Sequence, residues 1–162
     1  VVADGVTLDR FTTLVEFWGG GGSHNHIMWG TIDEWYYKAL AGIDVNQDEP
    51  GYKLITIKPN VVGDLTWAQA SVDTIRGTVI SDWNKSGNTL TLNVTLPGNS
   101  TAKVHVPKIG LSNVTVTENG MTIWQNSSFI AGVAGITAGT EDNNYVIFDV
   151  GSGAYIFVLN GI

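Results

Sequence analysis

The sequence predicts a mostly β protein, an antiparallel β-sandwich that is preceded by one helical segment. After Gly51 the chain consists of short β-rich segments separated by turn residues at regular spacing, which is typical of a sandwich. Only between Ile27 and Ile43 do apolar residues recur at spacings of three and four, as on one face of a helix. With 43% hydrophobic and 14% charged residues, the 162-residue chain has the apolar content of a folded core.

The predicted helix has one apolar face, which we expect to be core, Trp35 and Tyr36 included. Its members are Ile32, Trp35, Tyr36, Ala39, Leu40 and Ile43. Gly42 stands where a left-handed residue often ends a helix, and the polar run 44–51 indicates a linker. We therefore predict two parts, residues 1–48 and a β-sandwich domain of residues 49–162.

The strands of the sandwich are predicted from alternating apolar and polar residues. They cover residues 52–59, 65–71, 77–84, 89–96, 101–106, 113–117, 121–125, 145–150 and 154–160. Turn residues at 85–88, 97–100 and 118–120 predict hairpins between neighbouring strands. The stretch 128–144 is rich in small residues, and we expect it to be mostly loop.

Charge and composition exclude several functions. The formal net charge of −7 repels nucleic acid and anionic membrane surfaces, so we expect neither as a partner. The longest apolar runs are as short as strands. The absence of cysteine excludes disulfides and thiolate metal sites, and leaves the compartment open. The first residues have neither Met nor a signal peptide, so we expect the chain to begin within a longer protein.

Functional side chains are densest in the first forty residues. Glu16 and Trp18 are followed by the glycines 19–22 and then by His24 and His26. A carboxylate, an aromatic ring and paired imidazoles combine a proton acceptor, a sugar-stacking surface and hydrogen-bond donors. Two imidazoles without a third ligand do not form a zinc site, so we expect no metal and no cofactor. His24 is expected to be structural.

Other candidate residues have structural interpretations that do not involve a functional site. Asp33 and Glu34 lie at the start of the predicted helix, where the helix dipole favours acidic residues. Trp67, Trp83 and Trp124 of the sandwich could form a carbohydrate-binding platform, but tryptophans in strands more often pack in the core or at a sheet edge. We expect packing for all three.

Several motifs, in order, resemble one family. Residues 12–18 (Thr-Thr-Leu-Val-Glu-Phe-Trp), 23–30 (Ser-His-Asn-His-Ile-Met-Trp-Gly) and 33–43 resemble the end of the catalytic domain of bacterial α-L-rhamnosidases of glycoside hydrolase family 78. Residues 50–52, 55–59, 63–68 and 92–97 resemble the start of that family's C-terminal β-sandwich. The resemblance extends over residues 10–107 and weakens beyond them. Val15 departs from the pattern, because the family often has an aromatic residue there.

The resemblance implies a site and a mechanism. Residues 1–48 would be the tail of an (α/α)6-barrel catalytic domain. Glu16 would be the general base of an inverting hydrolysis, His26 would contact the rhamnose, and Trp18 would either stack on the sugar or pack in the barrel. The implied partners are a rhamnose-containing glycoside or polysaccharide and the rest of the parent catalytic domain, which holds the general acid.

The sequence leaves two other functions open for the sandwich. It could be a non-catalytic carbohydrate-binding module, or a structural domain that seals the barrel. Rhamnoside binding by the isolated sandwich would distinguish the first from the second. Under the leading hypothesis, hydrolysis of terminal α-L-rhamnose, the chain alone carries only one of two carboxylates and is expected to be inactive.

Overall fold

The computed structural model describes residues 2–3, 6–7, 15–17, 22–46 and 49–162. The chain forms two compact units, Val1–Tyr36 and Tyr37–Ile162. In the first unit, strands β1 (Val2–Ala3) and β2 (Val6–Thr7) pair antiparallel. Among the described residues, no helix has both the length and the apolar content that crossing a membrane requires.

The predicted helix forms, but it is irregular and ends early. A 3₁₀ turn at Ile27–Gly30 leads into helix α1 (Thr31–Trp35), and a π-helical turn follows at Tyr36–Leu40. The predicted apolar spacing therefore holds only as far as Leu40. Ile43 lies instead in a strand, because Gly42 turns the chain with φ of +76°.

The apolar face of this helix is not core within the chain. Trp35 is 47% exposed and Tyr36 is 49% exposed, so the prediction that they are buried is wrong for these residues. Ile32 on the same face is also half exposed. Asp33 and Glu34 do lie in the first turn of α1, as the dipole argument predicts.

The second unit is the predicted β-sandwich, with two sheets packed face to face. Its strands are β3 (Ile43–Val45), β4 (Leu54–Ile57), β5 (Trp67–Thr74), β6 (Gly77–Ser86), β7 (Thr89–Leu96), β8 (Thr101–Pro107), β9 (Thr115–Glu118), β10 (Met121–Gln125), β11 (Ser128–Phe129), β12 (Ile136–Glu141), β13 (Tyr145–Val150) and β14 (Gly153–Asn160). One sheet has the order β11-β10-β9-β14-β7-β6-β5 and the other the order β12-β13-β8-β4-β3.

Strand pairing in the sandwich is antiparallel, with one exception among the described strands. Strands β4 and β8 pair in parallel, from Leu54 opposite Thr101 to Ile57 opposite Val104. Strand β3 overlaps the start of the run 44–51 that was predicted as a linker, and it pairs with β4. The separation of a barrel tail at residue 48 stays a prediction.

Two of the three predicted hairpins form, and the third turn connects the two sheets instead. The turns at 85–88 and 118–120 join paired strands, β6 to β7 and β9 to β10. The turn at 97–100 instead carries the chain from β7 in one sheet to β8 in the other, so it is not a hairpin. The guanidinium of Arg76 holds this crossing by donating to the carbonyl oxygens of Gly51 (2.9 Å) and Asn99 (3.3 Å).

Aromatic rings fill the centre of the sandwich. Trp83, Phe148 and Phe157 are the largest fully buried side chains. Phe148 on one sheet stacks on Phe157 on the other, with ring centroids 5.6 Å apart. Trp124 meets Phe148 edge-on at 6.4 Å. Each such ring buries a large apolar area and so contributes strongly to the hydrophobic stabilisation of the sandwich.

The stretch 128–144 was predicted to be mostly loop, and this prediction is wrong in part. It contains β11 and β12, which form sheet edges. Its small residues have a packing reason, since a Cβ on Gly139 would lie 2.8 Å from the ring of Phe129 and 3.1 Å from that of Phe148. The missing side chain lets the backbone of an edge strand cover aromatic rings, which local hydrophobicity does not reveal.

The end of the helix is held by the sandwich. The last carbonyl groups of a helix have no partner within it. Here the carbonyl oxygen of Ala39 accepts from the backbone and side-chain N–H groups of Asn60, both at 3.0 Å. The oxygen of Leu40 accepts from Trp83 Nε1 (2.8 Å), and that of Ala41 from Ser81 Oγ (2.6 Å).

Gly42 completes this contact and admits no side chain. Its carbonyl oxygen accepts from the backbone N–H of Lys58 at 2.8 Å. A Cβ on Gly42 would overlap with the backbone of Lys58 and Pro59. Four successive carbonyls, of residues 39–42, are thus satisfied by the sandwich, and we call this set of hydrogen bonds the helix-end clamp.

The clamp predicts an asymmetry between two serines of β6. Ser81→Ala removes the buried donor to Ala41 and should lower the free energy of unfolding by about 1–3 kcal/mol, since the carbonyl is left unpaired. Ser86→Ala, on the exposed end of the same strand, should change it by less than about 0.5 kcal/mol. Urea unfolding of both variants checks this. Equal effects would show that the clamp contributes nothing to stability.

Candidate functional site

The described part of the first unit contains a short closed loop that begins at Glu16. The backbone N–H of Glu16 donates to the carbonyl oxygen of Ser23 at 2.9 Å. The backbone N–H of Ser23 donates in return to Glu16 Oε2, also at 2.9 Å. Gly22 has φ of +73°, and a Cβ there would overlap with the Glu16 carboxylate. The absence of a side chain at Gly22 therefore lets its backbone lie close to the carboxylate.

The same loop brings His26 to Glu16. Nδ1 of His26 lies 3.9 Å from Glu16 Oε2, and Nε2 lies 2.9 Å from the sulfur of Met28. Both side chains are about one third exposed, at 30% for His26 and 35% for Glu16. Among the described residues, Glu16 Oε1 accepts no hydrogen bond. Within the described residues, the pair thus offers one anchored carboxylate oxygen, a second oxygen to which no described group donates, and an adjacent imidazole.

The tryptophans for which a role was predicted differ in their environments. Trp18, predicted to bind substrate, lies outside the described residues. Trp83 (0% exposed) and Trp124 (3% exposed) are core, as expected. Trp67 is 63% exposed, so it does not pack in the core, and it belongs to a strand at the edge of its sheet. It lies on β5, whose outward positions are exposed and whose inward positions carry the alanines 68 and 70.

The arrangement around Glu16 is suited to proton transfer. Within the described ranges, no three His, Asp or Glu side chains are grouped closely enough to hold a metal ion. His24 lies exposed beside the loop and makes an interaction of its own. An ionised carboxylate held by a backbone N–H can accept a proton from water, and a neighbouring imidazole can donate or accept a hydrogen bond.

Comparison with known proteins relates this chain to one enzyme family. Residues 42–121 match the model of the bacterial alpha-L-rhamnosidase C-terminal domain. The structure is similar to the alpha-L-rhamnosidase from Dictyoglumus thermophilum, with a TM-score of 0.75 and 35% identity over 90% of this chain and 15% of that one. Residues 42–121 belong to the family of bacterial α-L-rhamnosidase C-terminal domains.

Two further rhamnosidases give the extent of the likeness. An alpha-L-rhamnosidase of Formosa agariphila is 36% identical over 67% of this chain, and one of Streptomyces avermitilis is 28% identical over 85%. The crystal structure of the Streptomyces avermitilis enzyme with L-rhamnose has a TM-score of 0.62, at 26% identity over 87% of this chain. The present chain spans 11% and 12% of the length of these two relatives.

The rhamnosidase sandwich also contains a cleft of about 370 Å³ that local sequence patterns did not indicate. Asn60, Lys85 and Tyr145 are among its lining residues. The hydroxyl of Tyr145 donates to Asn60 Oδ1 at 2.8 Å, and the amide of Asn60 donates to Ala39. The polar groups of the cleft are therefore hydrogen-bonded to the helix-end clamp through Asn60.

His105 supports Tyr145 from within the rhamnosidase sandwich. The two rings meet edge-on at 5.7 Å, and the ammonium of Lys58 lies 5.2 Å from the centre of the Tyr145 ring. Burial lowers the pKa of His105 below its ordinary value of 6.5, and the charge of Lys58 adds to this lowering. The backbone carbonyls of Lys103 and Ile57 oppose it. His105 is therefore held in its neutral form.

This lowered pKa gives the rhamnosidase sandwich a pH-dependent stability. Above pH 6.5 His105 is neutral in the folded and unfolded chain alike. As the pH falls through 6.5, the unfolded chain gains a proton that the folded one does not, so the free energy of unfolding should decrease down to the folded pKa.

Urea unfolding between about pH 7 and pH 5 measures this loss. His105→Gln, which cannot ionise, should show a smaller decrease than the wild type. The carboxylates with lowered pKa values, Glu141 and Asp142, lose their contribution only below their ordinary values of 4.5 and 3.8. Identical pH profiles for the two proteins would rule out a role for His105.

Proposed function

We propose that this chain is the C-terminal part of an inverting α-L-rhamnosidase that removes terminal α-L-rhamnose from plant glycosides or polysaccharides. Glu16 is its general base, and His26 and Trp18 bind the sugar. The observation that carries the proposal is the closed loop that holds the Glu16 carboxylate 3.9 Å from His26. Family membership supports the substrate, because the relatives are named alpha-L-rhamnosidases.

In this proposal, Glu16 activates water. Its Oε2 is fixed by the N–H of Ser23, so Oε1 is the oxygen that accepts a proton from the attacking water. The water adds to the anomeric carbon as the bond to the leaving oxygen breaks, and the configuration inverts. The general acid that protonates the leaving oxygen belongs to the rest of the catalytic domain, about 6.5–9.5 Å from the base in inverting enzymes.

The exposed apolar face of the helical segment supports a larger parent domain. Ile27 is 81% exposed and Met28 58% exposed, and Ile32, Trp35 and Tyr36 are about half exposed. Contiguous apolar surface of this kind usually marks a protein contact. We assign it to the remainder of an (α/α)6-barrel, with residues 1–48 as the end of that barrel and residues 49–162 as its sandwich.

The central test is Glu16→Gln in the full-length enzyme. The substitution keeps the shape of the side chain but removes its ability to accept a proton, so kcat should fall by about 10²–10⁴-fold while substrate still binds. Glu49→Gln, a surface carboxylate paired with Lys53, is the matched control and should leave kcat unchanged. Near wild-type kcat for Glu16→Gln would remove Glu16 as the base.

Rescue of a variant by azide tests the stereochemistry of the proposed reaction. In a Glu16→Ala variant, azide can occupy the place of the water and attack the anomeric carbon without needing a base. The expected product is the rhamnosyl azide of inverted configuration. A product of retained configuration would contradict the inverting mechanism.

A separate prediction concerns the 162-residue chain by itself. Because it supplies the base but not the acid, it should release no nitrophenol from a nitrophenyl α-L-rhamnoside above the rate of its Glu16→Ala variant. The assay uses the purified chain under conditions in which the full-length enzyme is active. Release that depends on Glu16 would mean that the chain carries a complete site.

A further inference from the structure

The outer face of the seven-stranded sheet carries an exposed tryptophan beside a row of polar side chains. In an antiparallel pair, directly opposite residues lie on the same face of the sheet. Gln69 on β5 is opposite Asp82 on β6, and Asp82 is opposite Asn93 on β7. Trp67 precedes Gln69 by two residues and therefore shares its face.

Two members of the polar row are hydrogen-bonded to each other, and the row keeps further hydrogen-bonding capacity. Asn93 Nδ2 donates to Asp82 Oδ2 at 3.3 Å. A carboxylate has four acceptor sites and an amide has both donors and an acceptor, so this one bond leaves several groups available. Asp82 and Asn93 are half-buried and Gln69 is exposed, so the row is fixed at its centre and open to solvent.

The position of Trp67 is not explained by core packing. The sandwich buries Trp83 and Trp124 almost completely, yet leaves Trp67 63% exposed. Trp67 is opposite Asn84, another exposed polar residue, on a face otherwise lined largely by small and polar side chains. A flat aromatic ring next to amides and a carboxylate matches a pyranose, which has an apolar C–H face and a polar edge.

We propose that Trp67, Gln69, Asp82 and Asn93 form a saccharide-binding subsite for a neutral pyranoside, in which the indole stacks on the sugar ring and the polar row binds its hydroxyls. The charge of the face selects a neutral ligand. Asp73 shares the face with Asp82, and the chain has a net charge of −7, so phosphorylated and uronic acid sugars are repelled. The subsite uses neither Glu16 nor His26 and does not depend on their proposed roles.

The test is a titration of the 162-residue chain with methyl α-L-rhamnopyranoside and with a neutral rhamnose-bearing oligosaccharide, followed by the indole N–H signals in NMR spectra. Trp67→Phe identifies the Trp67 signal. We expect that signal to shift on titration, and Trp67→Ala to weaken binding by about tenfold or more. Asn93→Ala should weaken binding as well. Ile75→Ala, which alters an 89% exposed apolar residue just beyond the opposite end of β5 from Trp67, is the matched control and should bind normally.

Each other outcome overturns the subsite. No shift of the Trp67 signal with either sugar, or equal binding by Trp67→Ala, would do so. So would preference for an oligogalacturonate over the neutral sugar, or loss of self-association as the only effect of Trp67→Ala. Binding lost in His26→Ala but kept in Trp67→Ala would place the sugar in the first unit and leave the proposed function standing. Urea unfolding of Trp67→Ala confirms that the variant is folded.

Discussion

The helix-end clamp is the interaction on which the second unit depends. A helix that ends with unpaired carbonyl groups needs donors from elsewhere, and here the sandwich supplies one or more to each of residues 39–42. Two of these donors, Ser81 and Trp83, are fully buried on the inner face of one strand. Within the second unit, residues 39–42 are therefore fixed against the sheets by these hydrogen bonds.

The clamp also connects distant parts of the sandwich. Asn60 donates to Ala39 and accepts from Tyr145, whose ring is packed between His105 and Lys58. A neutral His105 keeps this arrangement free of like-charge repulsion with Lys58. The packing around Tyr145 thus also positions Asn60, which donates to the last turn of the helix.

The candidate catalytic loop is more local in its construction. Among the described residues, two hydrogen bonds between Glu16 and Ser23 hold the ends of the loop together, and His26 follows three residues later. Both functional side chains remain about one third exposed, so the loop positions a carboxylate without enclosing it. In the proposed enzyme, the surface that excludes water and adjusts the carboxylate comes from the rest of the catalytic domain.

The sequence by itself determined those features that depend on neighbours along the chain. The alternation of apolar and polar residues predicted the main strands, and turn residues predicted the two hairpins. The motif around Glu16 and His26 pointed to the residues that the loop brings together. Only the tertiary structure decided the crossing at 97–100, the edge strand around Gly139 and the burial of each strand tryptophan. Trp67 and Trp83 both lie in alternating runs, and the packed sheets leave the first outside and bury the second in the core. The clamp joins Leu40 to a donor 43 residues away, and Ala41 to one 40 away. Such contacts depend on how the sheets pack, which no local pattern encodes.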